Sequence, residues 1–115
     1  MFTNTPFGFK MEFPNGWAIS VQWGPGNYCE NGSTGTINSI NPFDGQYHQF
    51  QSGTAEIAVM YRDQKEWYPL NGESDDVMGW LNAEQVNEYI QWTAQLDSDY
   101  HKVMGQATNK GLTRN

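Results

Sequence analysis

Phe7-Gly8-Phe9-Lys10-Met11-Glu12-Phe13-Pro14-Asn15-Gly16-Trp17-Ala18-Ile19-Ser20-Val21-Gln22-Trp23 decides the fold. Phe7, Phe9, Met11 and Phe13 alternate with small or polar residues, and Trp17, Ile19, Val21 and Trp23 do the same. Alternation with period two marks a strand with one buried face. Pro14-Asn15-Gly16 separates the runs, with glycine last, where a three-residue hairpin loop needs the left-handed conformation. This loop predicts a hairpin of strands 7–13 and 17–23. Its register sets Phe13 against Trp17, Met11 against Ile19, Phe9 against Val21 and Phe7 against Trp23. A slip of one residue would send every large apolar side chain to the wrong face.

Downstream, residues 24–53 are rich in turn-forming residues: Gly24-Pro25-Gly26-Asn27, Asn31-Gly32-Ser33-Thr34-Gly35 and Asn41-Pro42-Phe43-Asp44-Gly45. Short strands are expected near Tyr28-Cys29 and over 36–40, with 41–52 the most mobile part. Residues 54–62 read as a strand, with Ala55, Ile57, Val59 and Tyr61 on one face and Glu56, Ala58, Met60 and Arg62 on the other; the mostly small or apolar residues on both faces suggest a central strand. Trp67-Tyr68-Pro69-Leu70 reads as a strand that Pro69 either confines to an edge or ends. Residues 71–76 read as a polar loop. Asn82 is an N-cap with Gln85 three residues on, as in a capping box. Val86, Tyr89, Ile90, Thr93, Leu96, Tyr100, Val103 and Met104 follow at helical spacing. One long helix over 83–104, ended by Gly105, is expected.

The fold class is thus α+β: an antiparallel sheet of four or five strands, opening with the hairpin and covered on one face by the C-terminal helix. The 115 residues suit one domain, here 1–105 with a flexible polar tail at 106–115. No stretch approaches the roughly 20 apolar residues of a membrane helix, and no secretory signal opens the chain. Cys29 is the single cysteine, so no intrachain disulfide forms.

Thirteen acidic and six basic residues leave a net charge of −7. Phosphate binding calls for clustered Lys and Arg, so direct nucleic-acid binding is not expected. Nine of the carboxylates fall between Asp63 and Asp99, against Lys65 as the one cation in that interval. Such a block could present an acidic face to a basic groove, or simply be solvated.

Catalytic and metal signatures are weak. Cys29, His48 and His101 carry no nucleophile motif around them, and metal-ligand spacings are absent. Asp75-Asp76 and Asp97-Ser98-Asp99 are sequence neighbours, and neighbours rarely converge across a cleft as acid–base pairs must. No catalytic residue, metal or cofactor is expected. Five Trp, six Tyr and six Phe are many large rings for 115 residues; some belong to the core, and others can stand at a pocket or interface, where Trp and Tyr offer area with a polar handle. Trp23, Asn27 and Tyr28 in the Gly-rich segment leaving the hairpin, with Trp67 and Trp80, are the candidate ligand-binding residues. Arg62 and Lys10 are two of the few cations near the expected sheet, and an anionic ligand would use one of them.

The run Met11 to Gly24, followed by Gly26-Asn27-Tyr28-Cys29, resembles a pattern in small uncharacterised proteins of tailed phages, including marine ones. Ala55-Glu56-Ile57-Ala58-Val59 and Gly79-Trp80-Leu81 extend the resemblance, which covers less than half of the chain. It implies a phage accessory protein in the cytoplasm of a bacterial host, acting by binding a host factor or sequestering a small molecule. The expected function is therefore non-catalytic binding, with a nucleotide-like ligand or host protein as partner. The alternatives are an acidic inhibitor or nucleic-acid mimic using the 63–99 block, and a purely structural role. A small open sheet leaves free edges, and a homodimer is expected.

Overall fold

The computed structural model describes residues 1–5, 7–24, 29, 52–62, 67–71 and 76–107, together with the backbone of 37–39 and 48–50. Seven strands and two helices follow in order: β1 (Phe2–Thr5), β2 (Gly8–Glu12), β3 (Trp17–Gln22), β4 (Ile37–Ser39), β5 (His48–Phe50), β6 (Ala55–Tyr61), β7 (Val77–Leu81), α1 (Ala83–Ala94) and α2 (Tyr100–Ala107). The main sheet is antiparallel with order β1-β2-β3-β6-β7, and β4 pairs with β5 separately.

The hairpin forms in the expected register. Phe9 stands opposite Val21 and Met11 opposite Ile19. The Phe13 N–H donates to the Trp17 carbonyl at 2.9 Å, and the Trp23 N–H donates to the Phe7 carbonyl at 2.9 Å. Gly16 takes φ of 89°. A Cβ there would also meet the Tyr61 ring and the Arg62 side chain. At the hairpin's other end, a Cβ on Gly8 would collide with the Val21 carbonyl oxygen. Glycine at position 8 is what lets β2 and β3 close against each other.

Several expectations need correction. The chain opens with β1, which pairs with β2, so the hairpin is the second and third strand. Trp67 makes a single bridge to Met60 and 67–70 does not continue as a strand. Pro69 has no N–H to offer a ladder, and Tyr68 and Leu70 are buried in the core instead. The flank of β6 is taken by β7, in a region read from sequence only as the lead into the helix. The strand expected at 36–40 appears as β4. Cys29 lies outside any strand, Tyr28 lies outside the described residues, and β5 forms within 41–52.

The largest correction concerns the helix. It is two helices, broken over residues 95–99. The capping box at Asn82 and Gln85 starts α1 as expected. The stop comes from elsewhere in the chain. The Asn15 side-chain amide donates to the carbonyls of Thr93 and Leu96, at 2.9 Å each. The Trp17 indole N–H donates to the Asp97 carbonyl at 3.0 Å, and the Tyr61 hydroxyl donates to the Ser98 carbonyl at 3.2 Å. Partners contributed by the hairpin and β6 thus satisfy carbonyls at the end of α1 and along the linker. Locally, the Asp97 carboxylate accepts from the Asp99 N–H, and the Asp99 carboxylate accepts from the Lys102 N–H. Short acidic side chains compete for backbone donors in this way and favour caps over helix interiors. Gly105 does not end α2, which runs on through Gln106 and the buried Ala107, residues read from sequence as tail.

The core lies between the helices and one sheet face. Trp17, Ile19, Val21, Ile57 and Val59 supply it from β3 and β6, and Val86, Tyr89 and Val103 from the helices. Each such side chain contributes roughly 1.5–3 kcal/mol by leaving water. Strand β6 buries Ala55, Ile57 and Val59 on the core face, and on its other face Ala58 is buried while Glu56 and Met60 are half-buried. α1 packs chiefly across β3, β6 and β7, and Phe9, Met11 and Phe13 on β2 and its end are only half-buried.

Candidate functional site

Because α1 covers three of the five strands, a cleft remains where its first two turns face the open end of the hairpin. The cleft has a volume of about 290 Å³. Phe9, Val21 and Trp23 form its sheet wall, and Ser52, Gly53, Thr54 and Ala55 form the rim where the chain enters β6. Leu81, Ala83, Val86, Asn87 and Ile90 close the far side.

Local sequence explains each wall. Phe9 and Val21 are cross-strand partners in the hairpin, and Trp23 follows β3 and meets Phe9 edge-on at 6.4 Å between ring centroids. Ala83, Val86, Asn87 and Ile90 recur at positions i, i+3, i+4 and i+7 of α1, one helical face. The capping box at Asn82 sets where that face begins. Leu81 pairs with Ala55 across the β-bulge of β7, which places the start of α1 above the cleft. The polar groups are few: the Ser52 hydroxyl, which accepts from the Thr54 N–H at 3.3 Å, the Thr54 side chain, and the exposed Asn87 amide. None of the described lining residues is charged or carries an imidazole or thiol.

Of the candidate residues read from sequence, Trp23 lines this cleft. Asn27 and Tyr28 lie outside the described residues. Arg62 and Trp67 stand at the opposite end of the sheet. Trp17 pairs with Tyr61 and Gln22 with Glu56, so Arg62 is about 20 Å along the strands from Trp23 at roughly 3.3 Å per residue. The Arg62 guanidinium sits 5.5 Å from the Tyr61 ring centroid. Trp80 is 62 % exposed and takes φ of 60° in the bulge, where it and Gly79 face Glu56. Trp23, Arg62, Trp67 and Trp80 therefore do not form one site. Thr54, Leu81 and Asn87 were missed. Asn87 falls beside Val86 and Ile90 on the helical wheel, a signal that reads as the margin of a core stripe.

Much of the aromatic surplus is core at the other end of the sheet. Trp17 is fully buried, stacked on Tyr100 and edge-on to Tyr61 and Tyr68. Trp92 meets both Tyr68 and Tyr89 edge-on. Burial raises the Tyr68 hydroxyl pKa, and Tyr89 adds to the effect.

Cys29 is buried, its sulfur accepting from the Gly24 N–H at 3.4 Å and donating to the Gly24 carbonyl at 3.8 Å. His101 is exposed against Tyr100, and the side chain of His48 lies outside the described residues. Among the described residues no three His, Cys, Asp or Glu side chains converge as a metal site. Asp97 and Asp99 serve α2. The Asp97 carboxyl is held below its ordinary range, first by the Asp99 N–H and then by Lys102, whose ammonium lies 3.2 Å away. Glu84 and Glu88 are exposed on α1, and Asp76 is exposed before β7. Asp63, Glu66, Glu73 and Asp75 lie outside the described residues. Among the described residues no helix is long and apolar enough to cross a membrane.

No protein-family model, no curated protein and no solved structure matches this chain.

Proposed function

We propose that this protein is a non-catalytic binding module, an accessory protein of the tailed-phage kind, which sequesters a small molecule in the cleft between α1 and the open end of the hairpin. The observation that carries the reading is the cleft itself. It is concave and mainly apolar, walled by Phe9 and Trp23, with a few polar groups at its rim. Ligand pockets of small molecules have this character. The protein acts in the cytoplasm of a bacterial host. The acidic-mimic alternative has less support, because Asp97 and Asp99 are engaged in holding α2.

Native mass spectrometry of the protein purified from bacterial cells tests the proposal, beside an Asn87→Trp variant. Asn87 is exposed at the cleft wall, so an indole there fills the cleft without entering the core. A stoichiometric extra mass on the wild type, lost in the variant, is expected. A protein-only mass on the wild type, or an extra mass that the variant retains, refutes sequestration in this cleft.

A further inference from the structure

Resting on that reading, we infer that the ligand is an electrically neutral molecule with a flat, mainly apolar ring system, held by one hydrogen bond to the Asn87 amide. This departs from the nucleotide-like ligand expected from the sequence, and the reason is charge. A phosphate or carboxylate bound here gives up hydration, and none of the described lining residues carries a cation to replace it. Burying an unpaired charge costs far more than burying a neutral polar group. Of the two cations assigned to an anion from the sequence, Arg62 stands at the far end of the sheet, and Lys10, although next to Phe9 on β2, is not among the described lining residues. The net charge of −7 further repels anions at long range. An ammonium is also unmatched inside the cleft, since the described lining residues include no carboxylate.

Shape follows from the walls. Phe9 and Trp23 present aromatic surface on the hairpin side, and Val86 and Ile90 present aliphatic surface on the helix side. A ring between them contacts both. At the packing density of protein interiors, about 290 Å³ holds on the order of a dozen non-hydrogen atoms, the size of a two-ring molecule. Asn87 offers both a carbonyl acceptor and an amide donor at the mouth, so one polar edge of the ligand can be satisfied there while the ring goes in.

Matched probes separate this inference from the binding proposal. Indole, indene, indole-3-acetate and tryptamine share a ring frame and differ in N–H and charge. Each is titrated into the full chain, with amide and indole resonances followed by two-dimensional NMR. Indole is expected to shift Trp23, Val86 and Ile90, with the anionic and cationic analogues about tenfold weaker or more. Asn87→Leu is expected to weaken indole about fivefold and leave indene unchanged, since indene has no N–H. A charged analogue that binds the same resonances as tightly as indole overturns neutrality and leaves the cleft a binding site. Equal effects of Asn87→Leu on indole and indene overturn the role of Asn87. If no probe moves the cleft resonances, the ligand class is wrong, while the native mass spectrum decides separately whether the cleft sequesters anything.

Discussion

Asn15 is the residue whose removal most directly tests how the two helices are held to the hairpin. Its amide N–H groups donate to the Thr93 and Leu96 carbonyls, and its side-chain oxygen accepts from the Trp17 N–H at 2.9 Å. Asn15→Ala removes all three bonds and leaves two carbonyls at a helix terminus without that partner. Each hydrogen bond contributes about 0.5–1.5 kcal/mol net. Asn15 is only half-buried, so water recovers part of the loss. The expected destabilisation is about 2–3 kcal/mol.

Urea denaturation followed by Trp fluorescence measures it. With a slope of about 1–2 kcal/mol per molar, the midpoint falls by roughly 1–3 M. Asn15→Asp sharpens the test. It keeps the acceptor for the Trp17 N–H but points a carboxylate at two carbonyl oxygens, so it should destabilise more than alanine does. An alanine variant within about 0.5 kcal/mol of wild type, or an aspartate variant no worse than alanine, refutes the reasoning.

Two further predictions concern glycine and pH. Gly105→Ala should stabilise by about 0.5–1 kcal/mol, because the position is helical and a Cβ meets nothing within 4 Å. Gly8→Ala should destabilise by about 1–3 kcal/mol through overpacking against the Val21 carbonyl, and calorimetry of the pair reads both signs. The lowered pKa of Asp97 makes its contribution fully present above the unfolded carboxylate value of about 3.9, and it is lost as pH falls through the lower folded value. Tyr68, raised by burial, contributes below about pH 10 and loses that contribution as pH rises further. Thermal melts across pH should therefore show Asp97→Asn flattening the acid limb alone and Tyr68→Phe the alkaline limb alone. The opposite assignment would show that other groups control the limbs.

What the amino-acid sequence determined by itself was local. The hairpin register followed from alternation plus a loop whose Gly16 must adopt a positive φ. The start of α1 followed from Asn82 and Gln85, whose side chains reach each other's backbone within one turn. The central place of β6 followed from its mostly small or apolar residues. In each case the residues that make the structure lie a few positions apart, so the pattern is visible in a short window.

Tertiary structure decided the rest. The apolar spacing runs unbroken from Val86 to Met104, yet the helix stops where Asn15, Trp17 and Tyr61 satisfy carbonyls 37 to 81 residues further along the chain, beside the local caps of Asp97 and Asp99. No local pattern records that exchange. The pairing of β6 was likewise decided in three dimensions: Trp67 bridges Met60, and Val77–Leu81 pairs further along the strand, opposite Ala58, Ile57 and Ala55. The candidate site depended on the same step. The abundance of aromatic residues was legible, but which rings were core and which faced a cleft was set by how far α1 reaches across the sheet. Trp17 was taken into the core, Trp23 was left at the cleft, and Arg62, Trp67 and Trp80 do not line it, because a helix that packs chiefly on three strands of five leaves an opening at the hairpin's open end.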